Sequence, residues 1–103
     1  MEELYLIDNY LEEIPNEIAS LEKLKVLYLT GNNIKDIERL ERLRSLEVLD
    51  LERNAIEDFS PLKNLTSLTI LNVLFNSERV ADISFLEKMK SLKELKISFP
   101  EGV

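Results

Sequence analysis

Residues 24–34, LKVLYLTGNNI, are written a second time at 46–56 as LEVLDLERNAI, 22 residues further on. The two phrases share their leucines, one asparagine and a closing isoleucine, and they differ almost everywhere else. The fourth and sixth places of each phrase, Leu27 with Leu29 and Leu49 with Leu51, lie two residues apart. On an extended chain, residues two apart point to the same side. Each phrase therefore predicts a short strand with one apolar face.

Aligning the whole chain on this phrase gives five copies, starting near Met1, Leu24, Leu46, Leu68 and Leu92. Their first, fourth and sixth places are apolar throughout: Met1, Leu4, Leu6; Leu24, Leu27, Leu29; Leu46, Leu49, Leu51; Leu68, Leu71, Val73; Leu92, Leu95, Ile97. The ninth place is asparagine in four copies, as Asn9, Asn32, Asn54 and Asn76, and the eleventh is Leu11, Ile34 or Ile56. A pattern L-x-x-L-x-L-x-x-N-x-L at a period in the twenties resembles the leucine-rich repeat, over essentially the whole chain. The resemblance implies an α/β fold: a right-handed solenoid with a five-stranded parallel sheet on its concave side and 3-10 or short helical turns on its convex side. Residues 1–103 are then one domain.

The physics of the pattern leads the same way. One repeat cannot bury its own apolar side, but a stack of repeats makes a continuous core. The asparagines stand where the chain leaves the strand and turns inward. An amide there can satisfy backbone groups of adjacent turns, so Asn9, Asn32, Asn54 and Asn76 are expected to form a structural ladder rather than a ligand site.

The segments that return to the next strand differ among copies. After Asn32 the apolar residues are Ile34, Ile37, Leu40, Leu43 and Leu46; after Asn54 they are Ile56, Phe59, Leu62, Leu65 and Leu68. Spacing by three suits 3-10 turns or a short helix on the outer side. These returns resemble the 22-residue class of protein-phosphatase regulators and internalins, with Ser60 and Pro61 expected as cap and first position. In the first return Pro15 is expected to open a turn. In the fourth copy Val80 is the expected next inward residue after a small bulge at residues 77–80. Ser84 and Glu87 have capping-box spacing there, which predicts a helical turn. Glu38 and Arg42 have the spacing of a helical ion pair.

If the fourth and sixth places face the core, the third, fifth and seventh face outward on the concave sheet, with the eighth at its rim. The candidate partner-binding residues follow: Tyr5, Ile7, Val26, Tyr28, Val48, Asp50, Glu52, Ile70, Asn72, Leu74 and Phe75. Apolar side chains occupy the centre of the third-place row, and Glu3 and Glu94 its two ends. An apolar centre with a polar border is how interfaces are commonly built. Tyr5, Ile7, Tyr28 and Tyr10 form one expected cluster; Leu74, Phe75 and Phe99 form another.

Composition narrows the chemistry. The chain has 103 residues, no cysteine or histidine, only two glycines and a formal charge of −7. The acidity argues against nucleic acid, whose binding needs a basic face, and against an anionic membrane surface as partner. No apolar run reaches the roughly 20 residues of a membrane span. Missing histidine removes the commonest general base and metal ligand. Neighbouring carboxylates such as Glu2 and Glu3 point to opposite faces of a strand. No phosphate loop or calcium loop is written here. The expectation is a non-enzymatic module without cofactor or metal, binding a protein or peptide through its concave face in a regulatory or scaffold role. The alternative is a structural unit, self-associating through the solenoid ends, or an excised or designed fragment of a longer repeat protein. The acidic, amphipathic start lacks the pattern of a secretory signal, so the expected location is cytoplasmic.

Overall fold

The computed structural model describes residues 2–77 and 82–98. Five three-residue strands run parallel in chain order: β1 Glu3–Tyr5, β2 Val26–Tyr28, β3 Val48–Asp50, β4 Ile70–Asn72 and β5 Glu94–Lys96. β-branched and aromatic residues at the third and fifth places (Val26, Tyr28, Val48, Ile70) favour this pleated conformation. The register is in phase through the whole sheet. Glu3, Val26, Val48, Ile70 and Glu94 form one row, and Tyr5, Tyr28, Asp50, Asn72 and Lys96 another. Between these rows runs the spine Leu4, Leu27, Leu49, Leu71, Leu95, facing the other way.

Backbone pairing continues past the strand ends. The N–H groups of Leu6, Leu29, Leu51 and Val73 donate to the fifth-place carbonyls of the next repeat. Those of Asp8, Gly31 and Arg53 donate to its seventh-place carbonyls. The eighth place is left-handed in all four described copies, with φ of 56° at Asp8, 71° at Gly31, 57° at Arg53 and 56° at Phe75. This twist turns the chain out of the sheet and over the core.

Just beyond it stand the asparagines. Asn32 accepts from the N–H groups of Asn9 and Leu11, both at 3.0 Å, and donates to the carbonyls of Leu6 (2.8 Å) and Leu29 (2.9 Å). Asn54 accepts from Ile34 and donates to Leu29 and Leu51. Asn76 accepts from Ile56 and donates to Leu51 and Val73. Each amide thus joins its own repeat to the one before. Asn9 has no described repeat before it; its amide is exposed and donates to the carbonyl of Ile7.

The core is one cluster made from every apolar row. Leu24, Leu46 and Leu68 supply the first place, Leu27, Leu49 and Leu71 the fourth, Leu29, Leu51 and Val73 the sixth, all buried. Ile37, Leu40, Leu43, Phe59, Leu62, Leu65, Phe85 and Met89 close it from the convex side. Phe59 and Phe85 meet there with ring centroids 5.5 Å apart. The ends are less covered: Leu4, Leu6 and Leu92 are only partly buried, and Leu95 keeps 37% of its surface exposed.

The convex turns are Asn16–Ala19, a single α-helical turn (α1) following Pro15, and three 3-10 turns, Glu38–Leu40, Ser60–Leu62 and Ser84–Leu86. The expected caps are corrected here. Ser84 and Glu87 do not form a capping box around a helical turn, and Ser60 does not cap its own turn by a side-chain bond. In each 3-10 turn an aspartate two residues ahead accepts the first N–H: Asp36 from Glu38, Asp58 from Ser60 and Asp82 from Ser84, each at 2.9 Å. Aspartate makes such turns readily with the backbone two residues on. The Ser84 backbone bond holds the Asp82 carboxyl below its ordinary value of 3.8. Glu38 and Arg42 form no ion pair among the described residues; instead Arg39 reaches Glu13 at 3.7 Å and the carbonyl of Ile14. A three-residue turn is too short to bring an i,i+4 pair together. Val80 and the expected bulge lie outside the described residues, apart from Ser77.

Candidate interaction face

The in-phase register turns three odd places of every repeat into rows on one curved sheet face. On this face the structure brings together Tyr5, Ile7, Val26, Tyr28, Val48, Asp50, Glu52, Ile70, Asn72 and Leu74, with Phe75 on its rim. Exposure along the rows is uneven. Tyr5 is 53% exposed and Phe75 64%, whereas Val26, Val48, Tyr28 and Leu74 are half-buried.

At the β1–β2 end, the rings of Tyr5 and Tyr28 stack with centroids 4.9 Å apart. Strand spacing of about 4.8 Å makes this the natural separation for side chains at equal register. The Tyr5 hydroxyl donates to Glu3 at 3.0 Å, and that bond holds its phenol above the ordinary value of 10.0. Ile7 stands exposed beside the pair. Tyr10 does not join the stack; it is 82% exposed, with φ of 57°. That torsion turns it away from the strand's alternation.

The centre is polar and tightly bonded. Asp50 accepts three hydrogen bonds, from the Thr30 hydroxyl (2.8 Å), the Asn72 amide (3.1 Å) and the Glu52 backbone N–H (2.9 Å). Asn72 also donates to Glu52 at 3.0 Å and accepts from the Leu74 N–H at 3.1 Å. Asn72 is consequently only 7% exposed, although its row faces outward. Its neighbours leave it little surface, and its chemistry goes into fixing two carboxylates. Along the rim, Arg53 lies 3.7 Å from Asp8 and 3.7 Å from Glu52. The Arg53–Asp8 approach passes over Gly31, where a Cβ would meet Asp8 Oδ1 at 1.9 Å. Glycine at 31 therefore serves both the left-handed turn and the passage of this ion pair.

Sequence reasoning missed the left-handed eighth place and the part played by Thr30. Gly31 was the available signal for the first, since glycine is the default residue at positive φ. Thr30 carried none: a hydroxyl facing a carboxylate one strand away becomes visible only when the register is known. Phe99 lies outside the described residues. No group of side chains with metal-ligand geometry occurs among the described residues, and none of their helices is long and apolar enough to cross a membrane.

The chain belongs to the leucine-rich-repeat family, whose profile matches residues 1–56. Comparison with curated protein sequences gives no match. Among solved structures, an internalin (InlF) of Listeria monocytogenes is 26% identical, with a TM-score of 0.80 over 98% of this chain and 36% of its own. The plant peptide hormone receptor RGFR1, in complex with RGF2, is 27% identical, with a TM-score of 0.79 over 97% of this chain and 17% of its own. The leucine-rich-repeat domain of APL1B is 25% identical, with a TM-score of 0.81 over 96% of this chain and 31% of its own. The chain thus spans about a third or less of these three similar proteins.

Proposed function

We propose that residues 1–103 act as one binding module that presents the concave sheet face to a protein or peptide, in a regulatory or scaffold role. The carrying observation is the unbroken register, which gathers side chains from five distant repeats on one wall. Tyr5, Ile7, Ile70 and Phe75 leave large apolar side chains exposed on that wall and its rim. Membership of a family that includes a peptide hormone receptor seen in complex with RGF2 supports the same reading. The test is selection of displayed peptides on the chain, followed by affinity measurement on variants. Tyr28→Ala and Leu74→Ala are each expected to weaken binding about tenfold, the size of a moderate hot spot. Their circular dichroism should stay unchanged. Undiminished affinity in both variants would remove the concave face from consideration.

A second reading is self-association through the solenoid ends, favoured by the exposure of Leu95 on the outer side of β5. Lys25 of β2's repeat pairs with Glu2 of β1's at 3.4 Å, and Lys93 holds the same place in the last repeat. Sedimentation at high concentration decides it: a single 12 kDa species excludes this reading.

A further inference from the structure

The charge on the concave face is unbalanced. Its rows and rim carry five carboxylates, Glu3, Asp8, Asp50, Glu52 and Glu94, against two cations, Arg53 and Lys96, among the described residues. The imbalance is sharpest at Asp50. All three of its bonds come from neutral donors, a hydroxyl, an amide and a backbone N–H, and no described cation pairs with it. Such bonding fixes the carboxylate in place without cancelling its charge. A pre-positioned, half-buried anion favours a cationic donor, because charge-assisted hydrogen bonds are stronger than neutral ones and nothing need be ordered first.

Apolar surface flanks this anion on both sides. The stacked Tyr5–Tyr28 pair straddles β1 and β2, and Leu74 with Phe75 follows β4. With strands about 4.8 Å apart, the tyrosine pair lies roughly 7 Å from Asp50 along the solenoid, and Leu74, one strand over and two residues further on, roughly 8 Å away on the other side. Alternate side chains of an extended peptide fall about 6.6–6.8 Å apart. A peptide lying across the strands can therefore set three same-facing residues on the three zones in turn. The tyrosine faces add attraction for a nearby cation.

We propose that the concave face takes an extended basic–apolar peptide, with lysine or arginine at Asp50 and Glu52 and an apolar or aromatic residue two positions to either side. This rests on the concave-face reading above and names its partner class.

The test uses the full chain and three labelled synthetic peptides, identical except for the central residue: arginine, glutamine or glutamate, with leucine or phenylalanine two positions away on each side. Anisotropy titrations are expected to rank arginine at least tenfold tighter than glutamine, with glutamate weakest. Raising salt from about 0.05 to about 0.5 M should shrink the gap, as screening of a partly exposed pair requires. Asp50→Asn should erase the arginine preference, bringing the arginine and glutamine peptides to equal affinity. Glu52→Gln, which keeps an acceptor toward Asn72, should reduce the preference and serves if Asp50→Asn fails to fold. Equal binding of the arginine and glutamine peptides, still lost in Tyr28→Ala, overturns the basic-partner assignment and leaves the concave-face reading standing. Absence of binding by all three overturns the assignment as well, and the concave-face reading then stands or falls on the peptides selected by display.

Discussion

Asn32→Ala is expected to lower the unfolding free energy by about 3–5 kcal/mol, whereas Asn9→Ala should change it by less than about 1 kcal/mol. The two asparagines hold the same place in neighbouring repeats, and their sequence surroundings do not separate them. Their partners do. Asn32 is 6% exposed, and its amide accepts from two N–H groups and donates to two carbonyls. Alanine takes the amide from all four groups; the Leu29 carbonyl keeps Asn54, and the N–H groups of Asn9 and Leu11 and the carbonyl of Leu6 lose their partner. Leaving a buried polar group unsatisfied costs about 1–3 kcal/mol, and water reaches some of these three, so the sum falls short of three full penalties. Asn9 is exposed and donates to one carbonyl of its own repeat. Urea unfolding followed by circular dichroism measures both. A stability change for Asn32→Ala within about 1 kcal/mol of that for Asn9→Ala would show that the amide column does not hold the repeats together.

Leu49→Ala is the second large effect, expected at about 3–4 kcal/mol, against about 1 kcal/mol or less for Leu95→Ala. Both are fourth-place leucines of the spine. Leu49 is fully buried on the central strand, with Leu27 and Leu71 on either side. Truncation there removes transfer energy and opens a cavity that neighbours on both sides cannot fill without leaving their own rows. Leu95 stands on the last strand with 37% of its surface already in water, so its loss exposes little that was dry. In a stack, stability is roughly a sum of repeat and neighbour-interface contributions, and a central defect weakens two interfaces at once. The same urea titration compares them. Equal losses for Leu49→Ala and Leu95→Ala would contradict the end effect. A broadened transition in Leu49→Ala would reveal that the two halves unfold separately.

Both contrasts show how far the residues alone carry the structure. The repeat of LKVLYLTGNNI as LEVLDLERNAI was enough for the parallel sheet and its register, because side chains two apart must share a face and a repeated phrase must stack in phase. It was enough, too, for a short turn, 3-10 or helical, in the returns after Asn32 and Asn54; the structure makes Glu38–Leu40 and Ser60–Leu62 3-10 turns. Their caps were misassigned. Asp36, Asp58 and Asp82 precede the three turns at the same offset, but aspartate also suits a solvent-facing return. Only the torsions that aim Oδ1 at the N–H two residues on distinguish the uses.

For the interaction face the division is similar. That Tyr28, Asp50 and Asn72 lie side by side follows from their shared fifth place. That Tyr5 meets Tyr28 follows in the same way; that Asn72 is turned toward β3 to fix Asp50 and Glu52, and that Tyr10 stays out of the tyrosine cluster, does not.

What the sequence determined by itself is the stack: period, strand positions, core rows and the side on which odd-numbered places emerge, all consequences of apolar spacing along one chain. What tertiary structure decided is which of those emerging side chains stay free and which are spent on each other. That choice depends on groups some 20 residues apart meeting at hydrogen-bond distance, as Thr30 and Asp50 do at 2.8 Å. Spacing along the chain sets which face a residue joins; only the approach of neighbouring strands sets what it touches there.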